Sequence, residues 1–370
     1  MICQHFSKCG SCLLHGIGYG EQLKIKKESL QKLLEPFYSE NITVFSSEKE
    51  FFRARVEYKI YHKNGLVFYA MRHLDKNSFV TLKECKIASQ SIQKRMWRLL
   101  EFINECDELK RYLFGIEFLS ASTDDVLIIM LYHRKLDENW IQKAKLLEDM
   151  LSAKIIGRSK KQKIVLSEEF VTETLNINGK NYHYRHYEQS FTQPNTKVNE
   201  KMIEWAIKQA KTYGNGDFCE LYAGSGNFTL PMANLFKKVI ATEVSKRSIY
   251  AALQNCRLNG INNISFIRMS SEEFTQALKK VRTFTRLKDV ELDSFDIKTT
   301  LVDPPRAGVD EQTKVLISKF DTIIYISCNP NTLSKDLKML CKTHKVKSVA
   351  LFDQFPYTYH LETGVVLTKK

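Results

Sequence analysis

From about residue 197 to the end, apolar runs and amphipathic runs alternate without a break. "NEKMIEWAIKQAKTYG" puts Met202, Ile203, Ala206, Ile207 and Ala210 on one helical face and stops at Gly214. "DFCELYAG" then reads as a strand, "NFTLPMANLF" as a helix, "KVIATEV" as a strand and "KRSIYAALQNCRLNG" as a helix. The pattern repeats through "NISFIRMS", "SEEFTQALKKV", "SFDIKTTLVDPP", "DEQTKVLISKF", "DTIIYISC" and "NTLSKDLKMLC", and "KVKSVALFDQF" and "TGVVLTKK" close the chain as strands. Strands joined by helices pair in parallel through right-handed crossovers. The expected fold class is therefore α/β, a Rossmann-like, mostly parallel sheet with helices on both faces. Ligands of such sheets bind beyond the carboxyl ends of the strands, so residues that close a strand are the first candidates for chemistry.

Four strand ends carry such residues. "ELYAGSGNFTL" places Gly224 and Gly226 in the first turn, and Glu243 closes the next strand, where a carboxylate can hold two ribose hydroxyls. An NAD-linked oxidoreductase shares this geometry. It needs a third glycine, however, and position 229 is threonine. Glu220 precedes the loop in the spacing E/D-x-x-x-G-x-G of S-adenosylmethionine methyltransferases. Asp303 leads into Pro304-Pro305, a rigid corner without backbone donors, and Arg306 follows, placed to meet a phosphate. Cys328 ends the next strand in "SCNP". A lone cysteine at a strand end is more often a small buried hydrophobe, and only its company on this edge favours a nucleophile. Glu362, in "YTYHLETGVV", opens the last strand and by itself reads as a surface residue.

The region before this array is less regular. Residues 1–37 form a cysteine-rich head and a helix in which Leu23, Ile25, Leu30, Leu33 and Leu34 recur at helical spacing before Pro36. Residues 38–180 mix strands and helices, an α+β region, and 181–370 hold the α/β domain. "ARVEYKIYH" and "LVFYAMRH" flank Lys63-Asn64-Gly65, a hairpin turn, and "INGKNYHY" reads as a second one. Net charge is +14, and residues 51–100 hold 11 Lys and Arg against 3 Asp and Glu. That bias suits a polyanionic partner such as a nucleic acid, and 38–180 is the region expected to meet it, an RNA-binding region on the resemblance given below. Arg53, Arg55, Arg158, Lys160, Lys161 and Lys163 are candidate backbone contacts, and Phe114 is a candidate for stacking on a base or for the core. A non-catalytic RNA-binding protein would show the same charge. No apolar run reaches membrane-spanning length and the first residues lack a signal peptide's regions, so a soluble, cytoplasmic chain is expected.

Nine cysteines in such a chain argue against a disulfide framework. "CQHFSKCGSC" spaces Cys3, Cys9 and Cys12 as C-x5-C-x2-C, and Cys85 offers a fourth thiol. Four thiolates suit an iron–sulfur cluster or zinc, and a fortuitous grouping is the third reading.

The order of glycine loop, "DPPR", "SCNP" and "FPYTYHLE", with "SFTQPN" at 190–195, resembles the uracil-C5 methyltransferases of tRNA and ribosomal RNA. The resemblance is close over about residues 180–370. It implies S-adenosylmethionine as cofactor, Cys328 as nucleophile and Glu362 as proton acceptor. It also implies that Gln193, Tyr222, Asn227, Glu243 and Asp303 line the cofactor and uracil site. The chemistry agrees, because carbon 5 of uracil becomes nucleophilic only after a thiolate adds to carbon 6. A base must then remove the carbon-5 proton. "FTQPN", "DPPRAGVD", "SCNPNTL" and "LFDQFPYTYH" are most similar to the tRNA branch, which makes ribothymidine at position 54 in the T-loop and treats the similar loop of tmRNA. A monomer acting on the tRNA T-arm is the expectation. The cysteine head departs from that branch. Relatives acting on ribosomal RNA hold a [4Fe–4S] cluster in a similar head, which implies a cluster on Cys3, Cys9, Cys12 and Cys85 and keeps a 23S ribosomal RNA uridine as the alternative substrate.

Overall fold

All strands but one in the C-terminal sheet run the same way, and the exception carries Glu362. The computed structural model describes residues 3–370. Its eight-stranded sheet is ordered in space Thr43–Phe45, His344–Phe352, Glu362–Lys369, Thr322–Ser327, Ile297–Val302, Asp217–Leu221, Val239–Glu243 and Ile264–Arg268. Only Glu362–Lys369 pairs antiparallel with its neighbours on both sides. The chain winds outward from Asp217–Leu221 in one direction and returns to its other side with Ile297–Val302. The glycine loop after Leu221 therefore lies where the strand order reverses, the crevice position for a ligand.

Period-2 alternation divides the central strand between two cores. Ile323 and Tyr325 face helices Tyr19–Leu34, Ser271–Leu278, Glu311–Ile317 and Pro330–Leu340. Ile324 and Ile326 face Thr196–Tyr213 and its neighbours. Burial on both faces explains why "TIIYIS" is apolar almost throughout. The strand Thr43–Phe45 and the helix of the head thus belong to the C-terminal sheet's layers.

The head helix buries a different stripe from the expected one. Gln22, Lys26, Leu30 and Leu34 are buried, while Leu23, Ile25 and Leu33 are only half-buried. Two polar residues can occupy the stripe because the fold satisfies them. Gln22 donates to the carbonyls of Leu14 (3.0 Å) and Ile17 (2.9 Å) and accepts from the Tyr357 amide. Lys26 is bonded to the segment at 353–360.

The second sheet has seven strands, from Phe79–Thr81 through Arg55–Lys63 to Gln162–Val165. Helices Gln90–Glu105 and Glu138–Leu151 pack on one face of it. Both hairpin turns form as expected. Asn64 and Gly65 have φ of +50° and +75°, Asn178 and Gly179 of +50° and +81°, the left-handed pair that a two-residue turn requires. No helix among the described residues is long and apolar enough to cross a membrane.

Candidate active site

The strand Thr322–Ser327 stops where it does because a helix starts at once. Asn329 is the N-cap of Pro330–Leu340, its side chain accepting from the Asn331 amide, and Pro330 takes the first helical position, where no amide donor is needed. Cys328 is caught between strand and cap, half-buried, at the positive end of that helix. Across the ladder Ser327 pairs with Thr363, so Glu362 stands beside Cys328 on the same edge. Both line one cavity of about 580 Å³, with Arg306, His360, Phe355 and Phe191. Burial pushes the Cys328 thiol up to about 11, the carboxyls of Glu362 and Asp303 add to this, and the Arg306 guanidinium opposes them. Glu362 is 4 % exposed, and burial raises its carboxyl well above the usual range. The arrangement supplies a thiol open to a planar ring and a desolvated carboxyl next to it.

The glycine loop is braced from below. Glu243 accepts the Gly224 amide at 3.0 Å and the Ser245 amide at 2.8 Å, and each oxygen keeps a lone pair for a hydroxyl. Gly226, at φ +86°, lies in the left-handed region that disfavours a side chain, and a Cβ there would stand 2.3 Å from Leu230 Cδ1 and force it to shift. Gly224, at φ +55°, has nothing within 4 Å, so the loop opens onto free space there. Thr229, in place of a third glycine, donates to the buried Glu220 carboxyl at 2.6 Å. Burial raises Glu220 well above the carboxylate range.

The remaining expected residues surround this space. The Tyr222 hydroxyl accepts from Ser271 (2.7 Å) beside Asp310. Asn227 exchanges two hydrogen bonds with the Asn199 amide, which fixes the loop to helix Thr196–Tyr213. Burial pushes the Asp303 carboxyl up to about 7. Its surface is half-buried. "SFTQPN" ties both sheets together, with the Pro194 carbonyl accepting from Ala54 and Asn195 capping Thr196–Tyr213. Gln193 Oε1 is buried and unpartnered, an acceptor left for a ligand. Such an orphan acceptor, with the open space at Gly224 and the braced carboxylate of Glu243, fits an adenosyl amino acid.

The sequence model described as tRNA (Uracil-5-)-methyltransferase matches residues 18–370. The chain belongs to the tRNA (uracil-5-)-methyltransferase family. A tRNA/tmRNA (uracil-C(5))-methyltransferase of Sulfurovum sp. (strain NBC37-1) is 56 % identical over 371 residues, all of both chains. One of Saccharophagus degradans is 49 % identical over 354 residues, 95 % of this chain and 97 % of the relative. The crystal structure of Pyrococcus abyssi tRNA (uracil-54, C5)-methyltransferase with S-adenosyl-L-homocysteine has a TM-score of 0.74 at 21 % identity. It covers 97 % of this chain and 86 % of that one, a likeness of fold.

In this family member the cysteine head borders the same cavity as Cys328. Cys3, Cys9, Cys12 and Cys85 all line it, and Cys12, pushed up to about 12 chiefly by burial, also feels the other three thiols. Among the described residues no group of three or more His, Cys, Asp or Glu is arranged to hold a metal ion. The donors are right in kind and number for a cluster, and they are not drawn into a ligand shell.

Several candidate RNA contacts have partners within the protein. Arg158 and Lys163 both pair with the buried Glu188. Arg55 donates to the carbonyls of Glu188 and Ser190, each at 2.9 Å. Arg53 bonds the Arg55 carbonyl and faces Cys12 and Cys85. Arg55, Arg158 and Lys163 hold the 188–190 segment. Lys160 and Lys161 stand exposed at a turn tip. Phe114 is half-buried and stacked on His133, ring centroids 4.0 Å apart. Phe191, 72 % exposed on the cavity wall, was not singled out by sequence, although its place inside "SFTQPN" could have marked it.

Proposed function

We propose that this chain methylates carbon 5 of the uridine at position 54 in the tRNA T-loop, and of the matching loop of tmRNA. The uridine must leave its folded loop to enter the cavity, and the exposed Phe191 is placed to stack on a base at that mouth. Cys328 as thiolate bonds to carbon 6, which makes carbon 5 an enolate carbon able to accept a methyl group. Bound S-adenosylmethionine supplies that methyl as an electrophilic sulfonium substituent. Gln193, Tyr222, Asn227, Glu243 and Asp303 hold and orient the cofactor and the ring. Glu362 first releases its own proton to water and then, as carboxylate, takes the carbon-5 proton, the carbon–sulfur bond at carbon 6 breaks, and Cys328 leaves as thiolate.

One observation carries this reading: Cys328 and Glu362 flank one another on the sheet edge that also bears the glycine loop. The activity named for the relatives supports the choice of RNA. Residues 38–180 are assigned the grip on the T-arm, by a monomeric, cytoplasmic enzyme. Cys3, Cys9, Cys12 and Cys85 are assigned a structural [4Fe–4S] cluster that pins the head against the cavity, and no step of methyl transfer runs through it.

Methyl transfer from labelled cofactor to a tRNA transcript and to a 23S ribosomal RNA fragment tests the proposal. Label at position 54 of tRNA, lost in Cys328→Ala while RNA binding persists, is expected. Turnover by Cys328→Ala, or label in the ribosomal fragment alone, overturns it.

A further inference from the structure

Arg306 follows the proline corner, and its carbonyl is clasped by Asn329 Nδ2 (3.0 Å) and Thr332 Oγ1 (3.3 Å). Both residues belong to the turn that begins at Cys328. The DPPR corner and the cysteine turn are therefore one unit. The guanidinium Nη2 lies 3.1 Å from Nδ1 of His360. A guanidinium has donors only, so that imidazole is neutral at Nδ1 and carries its proton on Nε2. Burial, Arg306 and Lys26 all lower the His360 pKa, which keeps the ring neutral.

The support continues beneath. The His360 carbonyl accepts from Lys26 Nζ at 2.8 Å. The same ammonium binds Asp353 Oδ1 at 2.6 Å and the Phe355 carbonyl at 3.0 Å. A lysine of the head helix thus fixes the segment that carries His360, and the imidazole fixes the guanidinium.

The charges around the sulfur explain what the guanidinium is for. Arg306 lines the same cavity wall as Cys328 and Glu362. The carboxyls of Glu362 and Asp303 disfavour ionisation of the thiol, and Arg306 is the cation that acts against them. Arg53, the other arginine on the cavity wall, acts on Cys12 and Cys85. The end of helix Pro330–Leu340 adds a partial positive charge, and a half-buried thiol that feels two carboxyls needs more than that.

We propose that Arg306, held by His360 and Lys26, is the charge partner that favours the thiolate form of Cys328, rather than a phosphate contact. The proposal rests on Cys328 as nucleophile. The proton released on ionisation passes to water in the open cleft. Arg306 acts through the sulfur, and His360 and Lys26 are positioning residues.

The test is the pH dependence of Cys328 alkylation by iodoacetamide in the full chain without RNA or cofactor, read by mass spectrometry of the Cys328 peptide. Arg306→Gln should raise the apparent thiol pKa by about one unit or more and slow alkylation near pH 8 about tenfold, with the high-pH plateau unchanged. Arg306→Lys should lie nearer the wild type, and His360→Ala should shift the same way by less. An unshifted thiol in Arg306→Gln, with weaker RNA binding only, overturns the proposal. Should Arg306→Gln fail to fold by circular dichroism, an unshifted thiol in His360→Ala overturns it. Alkylation requires no methyl transfer, so failure of the covalent reading, seen as active Cys328→Ala, is recorded separately.

Discussion

Ser327 is paired with Thr363 across two antiparallel strands, and one step further out along that ladder stand Cys328 and Glu362. In an all-parallel sheet the first residue of a strand lies at the opposite end from the ligand crevice. Reversing the last strand brings its first residue to the crevice edge. The reversal places a carboxyl next to the thiol without any long loop, and strand pairing on both sides of Glu362–Lys369 holds it there.

Glu362→Gln keeps this geometry and cannot accept a proton. Cys328 should still add to carbon 6 and carbon 5 should still be methylated, after which the adduct has no exit. The expected outcome is a protein–RNA species that survives denaturing electrophoresis, with turnover down by about 100-fold or more. Release of methylated RNA at the wild-type rate would remove Glu362 from the role of base.

The same substitution has a stability signature. Burial raises the folded-state pKa of Glu362 well above the usual value, and Asp303 raises it further. Above the ordinary carboxylate pKa the unfolded chain releases a proton that the folded chain retains. Stability is then full below that pKa and falls, by about 1.4 kcal/mol per pH unit, as pH climbs toward the folded value. Glutamine has no proton to lose. Melting of Glu362→Gln compared with wild type should show a gap that widens as pH rises above the ordinary carboxylate range. A gap independent of pH would mean that the carboxyl is solvated.

Thr229 occupies the position of a missing glycine and donates to Glu220 deep beneath the loop. Thr229→Val removes the donor at nearly constant shape and leaves a fully buried carboxyl without it. A cost of about 1–3 kcal/mol in urea unfolding is expected, together with weaker cofactor binding in calorimetry. Thr229→Gly should not confer nicotinamide binding. Unchanged stability in Thr229→Val would show that water replaces the hydroxyl.

The sheet and its active edge were legible because they rest on local patterns: period-2 and period-3.6 apolar spacing, Asn-Gly turns, and chemically conspicuous residues at strand ends. What could not be read depends on distant partners. Thr43–Phe45 is too short for a pattern and is a strand only because His344–Phe352 pairs with it. Strand direction leaves no periodicity, so the reversal at Glu362–Lys369 was invisible. Arg158 and Lys163 look like free cations until Glu188 folds against them. Lys26 looks solvated until Asp353 arrives from the other end of the chain.

The four head thiols share a cavity, and they do not yet form a ligand shell. Anaerobic purification should give brown protein with about four iron atoms and about four acid-labile sulfides per chain. Cys12→Ala should be colourless and less stable to heat. Wild-type protein that is colourless and contains zinc would replace the cluster with a zinc site, and colourless metal-free protein would leave four ordinary thiols.

Lys26 and Asp353 are both buried, 2.6 Å apart. Burial lowers the lysine pKa while the aspartate opposes that shift. Breaking such a pair from one side leaves the other charge in a dry interior. Lys26→Met should therefore cost about 3–5 kcal/mol in urea unfolding. Lys26→Met with Asp353→Leu should recover part of it, because no lone charge remains. The tyrosine beside them limits the recovery, since Tyr19 donates to the second Asp353 oxygen at 2.7 Å and loses that acceptor. A double variant no more stable than Lys26→Met alone would show that the ammonium matters through the carbonyls of Phe355 and His360, which no methionine can satisfy.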